Sequence, residues 1–184
     1  MKIISGKFRG RKIECLNSKD LRPTTGQIRE AIFSILNSLD YLNNDKEVSV
    51  LDLFCGTGSL GLEALSRGLK HVTFVDINQQ HLSLVEETAG RLGVRNQIIL
   101  MRWNACDLPK ARQQYNVVFM DPPYHDSNLL SQALSSLVKE GWLAEDSIII
   151  AEFAKKNLPK LPEGIEIMDT RIYGKSKIFL MRAI

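Results

Sequence analysis

Asp52-Leu53-Phe54-Cys55-Gly56-Thr57-Gly58-Ser59-Leu60-Gly61 joins an apolar run over residues 48–54 to a segment of helical character over 59–67. A buried strand, a turn rich in glycine and a helix in that order contain a literal GxGxxG, whose glycines let a ligand approach the backbone at a helix amino end. Asp76 stands twenty residues after Gly56, at the end of a second strand candidate, where a carboxylate can accept hydrogen bonds from a ribose diol. To this point a nicotinamide dinucleotide and S-adenosylmethionine (SAM) fit equally. Asp52 separates them. A carboxylate four residues before the first glycine repels a pyrophosphate, which needs bare amides and the positive helix end. The same carboxylate attracts the ammonium of a methionine moiety, directly or through water. Phe54 and Ile77, beside the loop and after Asp76, are counted with Gly56 and Gly58 as cofactor-facing positions.

Downstream the pattern repeats. Strands are expected at 71–76, 97–103, 116–121 and 147–153, helices at 79–92 and 129–139, and two closing extended runs at 165–173 and 177–182. Continuous apolar strands such as Val117-Val118-Phe119-Met120 predict a parallel sheet covered on both faces, and the intervening helices predict right-handed crossovers. The body is therefore read as a doubly wound α/β domain ending in a hairpin.

Upstream, residues 1–16 read as two short extended runs around Gly6-Lys7-Phe8-Arg9-Gly10, a cationic turn. After Pro23, Thr24 or Thr25 can cap a helix whose Ile28, Ala31, Ile32, Ile35, Leu36 and Leu39 form one apolar face. The division expected is an appendage over 1–45 and a cofactor domain over 46–184. Residues 1–29 hold eight Lys and Arg against Glu14 and Asp20, a surplus of six in a chain whose net charge is +3, so the body is slightly acidic. A basic head of this kind suits a polyanion, because its cations displace condensed counterions.

Two further stretches carry chemistry. Asn104-Ala105, after the third strand, can meet an adenine ring with a side-chain amide and a backbone N–H, a role for which Asp107 competes. Asp121-Pro122-Pro123-Tyr124 follows the fourth strand, at the carboxyl edge where open α/β sheets present ligands. Consecutive prolines fix an extended path and remove two N–H donors, so carbonyls and the Asp121 carboxylate face the site as acceptors. Tyr124 adds a flat face on which a base can stack, a contact worth about 1–3 kcal/mol in nucleic-acid complexes. Such a pocket suits a planar group bearing an NH2.

The Asp52–Gly61 loop with Asp121–Tyr124 resembles the class I SAM-dependent methyltransferases that act on exocyclic amines. With Gly6-Lys7-Phe8-Arg9-Gly10-Arg11, Leu21-Arg22-Pro23-Thr24-Thr25 and Leu62-Glu63-Ala64-Leu65-Ser66-Arg67-Gly68 added, nearly the whole chain resembles the RsmD family. The resemblance implies a Rossmann-like, seven-stranded, mostly parallel sheet with the last strand antiparallel and with the basic hairpin and helix as an extension. It implies SAM as methyl donor and N2 of a guanine in 16S ribosomal RNA as acceptor, within a partly or fully assembled small subunit. Asp121, Pro122, Pro123 and Tyr124 would then orient the amine for in-line attack, with Lys7, Arg9, Arg11, Arg22 and Arg29 on RNA phosphates. Cys55, where Ala is frequent, and Asn104, where an acid often stands, depart from the family pattern.

Composition narrows the remaining classes. With 184 residues, 44% hydrophobic and 24% charged, the chain suits one ordinary core, and its apolar stretches are far short of a membrane span. Ser5 and Lys7 interrupt the opening too early for a secretory leader, so a cytoplasmic monomer is expected. Cys15, Cys55 and Cys106 lack metal-ligand spacing, so neither a disulfide framework nor a metal is expected. Competing readings are a DNA adenine-N6 or protein glutamine methyltransferase, a nicotinamide oxidoreductase, and a ribosome-assembly factor that binds RNA without modifying it. Those related methyltransferases more often carry Asn at the position of Asp121.

Overall fold

Short apolar segments separated by crossovers form the parallel half of the sheet in the computed structural model, which describes residues 1–15, 25–43, 47–122, 128–154, 159–174 and 176–184. Strands β1 (Ser49–Leu53), β2 (His71–Val75), β3 (Ile98–Met101), β4 (Tyr115–Met120) and β5 (Leu143–Ala154) pair in parallel. The closing strands β6 (Ile165–Tyr173) and β7 (Ser176–Ala183) form an antiparallel hairpin, and β7 inserts between β5 and β6. The order is β3-β2-β1-β4-β5-β7-β6, the seven-stranded sheet that the family resemblance implies. From β1 the chain winds outward to β3 and then returns to β4 on the other side of β1. The crevice at the carboxyl ends of β1 and β4 is thus the topological switch point, where such sheets bind ligands.

Alternation along each strand sorts the core into two layers. Val50, Val72, Phe74, Val117, Phe119, Ile148 and Ile150 pack against helices α1 (Gly26–Ser38), α2 (Ser59–Ser66) and α3 (Gln79–Leu92). Leu51, Leu53, Val118, Met120, Ile149 and Phe179 face α4 (Leu129–Lys139). No helix is assigned between β3 and β4, where the chain covers its share of the second face with Ala105 and Leu108. Beside them Trp142 stacks on Tyr115 at 5.7 Å and donates its indole N–H to the Pro109 carbonyl.

Thr25 is the cap of α1, its hydroxyl accepting from the Ile28 N–H; Thr24, the other cap candidate, lies outside the described residues. The basic hairpin closes with one bridge, Lys2 to Lys12, and Ile3, Phe8 and Ile13 enter the same core as α1, α2 and α3. The described hairpin residues and α1 therefore share one core with α2 and α3. Strand β5 starts four residues before the expected run because Leu143 already pairs with Tyr115. The register then shifts, and Asp146 takes a left-handed φ of 56°, so polar residues that break the apolar pattern sit inside the strand.

Candidate functional site

At the end of β1 the chain turns through Phe54 (φ 65°), Gly56 (φ 52°) and Gly58 (φ 71°) before entering α2. Phe54 has a Cβ and still adopts the left-handed region, so the loop stores backbone strain where a ligand would lie. Four of its amides, those of Cys55 and of the three glycines, are engaged within the chain. Cys55 donates to the Val75 carbonyl at 3.0 Å, Gly56 to Asp76 Oδ2 at 2.8 Å, Gly58 to the Cys55 carbonyl at 2.7 Å and Gly61 to Asp52 Oδ2 at 2.9 Å. A loop built to cradle a pyrophosphate keeps such donors pointing outward.

The carboxylates set the electrostatics. Asp52, 2% exposed, is held well above the usual carboxylate range by burial, which the Gly61 N–H opposes and the nearby Asp121 and Asp76 reinforce. A cation in the crevice would relieve all three. Among the described residues no group of three His, Cys, Asp or Glu converges as metal ligands. Burial, with Asp52 and Asp76 adding to it, also drives the Cys55 thiol well up, which keeps it an inert filler.

Asp76 follows β2 and is tied down more tightly than its sequence position suggested. Oδ2 accepts from Gly56 and lies 3.1 Å from His81 Nδ1, while Oδ1 accepts from the Asn78 N–H at 2.8 Å. With about four acceptor positions on a carboxylate, one remains on Oδ1 for a ligand hydroxyl. Sequence reasoning missed His81. The signal available was its place in the first turn of α3, three residues after the Asn78 cap and five after Asp76.

Ile77 projects an apolar side chain, 65% exposed, beside Asp76, and Arg102 Nε holds its carbonyl at 3.2 Å. Asn104 is exposed and uses its Oδ1 to accept from the Cys106 N–H at 3.0 Å, an Asx turn; Ala105 is buried. Across the crevice, Asp121 is half-buried and Pro122 buried at the end of β4. Pro123 and Tyr124 lie outside the described residues, as does Arg22.

Of the phosphate-facing set, Lys7, Arg9 and Arg11 are exposed on the hairpin. Arg29 is not, which corrects the sequence reading. It is 4% exposed, lies 3.5 Å from the fully buried Glu63, and donates through both terminal nitrogens to the Lys2 carbonyl at 3.1 Å. Its place on the apolar side of α1, one residue after Ile28, turns it into the core.

The profile of the family described as conserved hypothetical protein 95 matches residues 1–182. A Haemophilus influenzae protein named ribosomal RNA small subunit methyltransferase D is 34% identical over 178 residues, covering 95% of this chain and 89% of its own. The Escherichia coli protein of the same name is 31% identical over 176 residues, covering 95% and 86%. A solved Escherichia coli structure, described as a candidate methyltransferase, superposes with a TM-score of 0.85 at 27% identity, covering 100% of this chain and 97% of that one. With a switch-point crevice, internally bonded glycine amides and a profile match over nearly its whole length, the chain belongs to the RsmD-type methyltransferases of the conserved hypothetical protein 95 family.

Proposed function

We propose that the protein transfers a methyl group from SAM to the exocyclic N2 amine of a guanine in small-subunit ribosomal RNA. The observation that carries the reading is the crevice at β1 and β4, whose glycine amides are engaged while Asp52, Asp76 and Asp121 lie close enough to act on one another. Such a crevice selects a cationic ligand over a phosphate. When bound, SAM supplies an electrophilic methyl on a sulfonium. Asp52 faces its ammonium, Asp76 takes a ribose hydroxyl, and Ile77 with Asn104 and Ala105 borders the adenine. The relatives' names, ribosomal RNA small subunit methyltransferase D, support RNA of the small subunit as the acceptor.

Catalysis then rests on placement. Asp121 and the Pro122 carbonyl hold the amine so that its lone pair points at the methyl, and their negative character offsets the charge developing on nitrogen. Pro123 locks that rim, and Tyr124 stacks on the base. The target guanine must leave its helix to enter the corner, and Lys7, Arg9 and Arg11 grip phosphates around it.

The test is mass spectrometry of ribosomal RNA nucleosides from cells with and without the protein; loss of one N2-methylguanosine is the expected result. In vitro, Asp121→Ala should lower turnover by at least about a hundredfold while leaving SAM affinity within a few-fold. Unchanged nucleosides in the deletion strain, or full activity in that variant, would overturn the reading.

A further inference from the structure

Helix α2 is held at both ends by polar contacts. At its start the Gly61 N–H meets Asp52, so the helix carries the cofactor loop. At its finish the Lys7 N–H donates to the Ser66 carbonyl at 2.7 Å and the Phe8 N–H to the Ser66 hydroxyl at 2.9 Å. That hydroxyl in turn donates to the Ser5 carbonyl. Between these ends lies Glu63, fully buried. Its Oε2 accepts from the Ile4 N–H at 2.8 Å and faces Arg29, and its Oε1 accepts from the Ser5 N–H and Arg67 Nε, both at 2.9 Å. Arg67 also pairs with Glu30 at 3.1 Å and lies 4.7 Å from the Phe33 ring centroid, and Arg29 holds the Lys2 carbonyl.

A two-stranded hairpin is marginal on its own, even with the Ile3 N–H on the Arg11 carbonyl, the Gly10 N–H on the Ile3 carbonyl and the Ile13 N–H on the Met1 carbonyl. What fixes Gly6-Lys7-Phe8-Arg9-Gly10 in space is α2. Gly6, at φ 80°, packs so closely that a Cβ would overlap the Ser66 carbonyl oxygen. We propose that Glu63 is a positioning residue for the methyl transfer: it clamps the basic hairpin to α2, so one eight-residue helix sets the distance between the phosphate-gripping tip and the methyl donor. The proposal rests on the function proposed above. A clamp of buried charge-assisted hydrogen bonds suits this task, because loss of one acceptor leaves a buried donor unpaired and frees the loop.

The experiment uses the full-length protein with two variants. Glu63→Gln keeps the shape but sets an NH2 against one of the donors it now accepts from. Gly6→Ala pushes the same loop off Ser66 while leaving the Glu63 side chain itself unaltered. Amide hydrogen exchange on each protein without substrate should show faster exchange over residues 4–8, by about tenfold or more, with Gly61 unchanged. With small ribosomal subunits purified from cells lacking the protein, KM for subunits should rise about five- to tenfold in both variants, while kcat at saturating subunits and SAM affinity stay within about twofold. A merely structural role predicts another pattern, with SAM affinity and KM worsening together or kcat falling through loss of folded protein. Unchanged exchange at residues 4–8, or an unchanged KM in folded Glu63→Gln, overturns the inference while leaving the function standing. If the wild-type protein transfers no methyl to the subunits, the proposed function falls and Glu63's part in it falls too.

Discussion

In the proposed function Asp52 serves binding at the expense of the fold. Its carboxyl is held above its ordinary value in the folded protein, chiefly by burial, so the native state keeps a proton that the unfolded chain has already released. That contribution to stability is present in acid and is lost as pH rises through the raised value. Asp52→Asn keeps an acceptor for the Gly61 N–H and removes the buried charge. Without ligand, its Tm should exceed the wild-type value by a margin that widens from acid to neutral pH, at about 2–4 °C per kcal/mol for a chain of this size. SAM affinity should fall by about tenfold or more, the loss of a partnered charge. In the wild-type protein that affinity should rise with pH, and in the variant it should be flat. Thermal unfolding and calorimetry from pH 5 to 8 measure both trends, and a variant of lower Tm at neutral pH would contradict this account. The positions of Asp52 and Asp76, near strand ends beside a glycine loop, were legible because the apolar runs that precede them mark the strands. Arg29 misled because its charge says nothing of which side of a helix it occupies, and Glu63 and His81 stayed hidden because their partners lie far away along the chain or at an adjoining strand end.

Among the elements, those with a clean period were legible to the residue. Helices α3 and α4 and strand β6 begin and end where the pattern of apolar residues predicts. The early part of β5 was not, since Glu145 and Asp146 break the pattern and only pairing of Leu143 with Tyr115 reveals the strand. Packing between α2 and β2 was also invisible to periodicity. Gly61 looks like a ligand-loop glycine, yet a Cβ there would collide with the Phe74 ring and lie 2.8 Å from Val72 Cγ1, so its small size serves helix-on-sheet contact. Gly61→Ala should therefore cost about 1–3 kcal/mol by overpacking and weaken SAM binding, because α2 must move away from Asp52. Gly90→Ala is the control. Gly90 is exposed in α3 and a Cβ there meets nothing within 4 Å, so alanine should stabilise by roughly 0.5–1 kcal/mol with SAM affinity unchanged. Equal thermal shifts in the two variants would show that the α2–β2 contact is looser than described.

At the scale of the whole molecule, the charge asymmetry has two parts that sequence cannot separate. Arg29 is internal, and Lys12 and Arg91 share Glu14, at 3.1 and 2.6 Å, on the flank of the hairpin. Lys7, Arg9 and Arg11 form the exposed tip. Under the proposed function the tip exchanges counterions with RNA phosphates, and each phosphate neutralised on RNA adds about 0.7–0.9 to the slope of log affinity against log salt. Reversing Arg9 and Arg11 to Glu should weaken binding to small-subunit RNA and flatten that slope by about 1.4–1.8, with little change in Tm. Arg29→Ala should act oppositely. It removes a cation from beside the buried Glu63, which costs about 3–5 kcal/mol for a broken buried pair, while the slope measured on the folded fraction stays at the wild-type value. Filter binding at several salt concentrations, alongside thermal unfolding, separates the two. A flattened slope in Arg29→Ala would mean that this guanidinium reaches RNA after all, and that the hairpin opens from α2 when RNA binds.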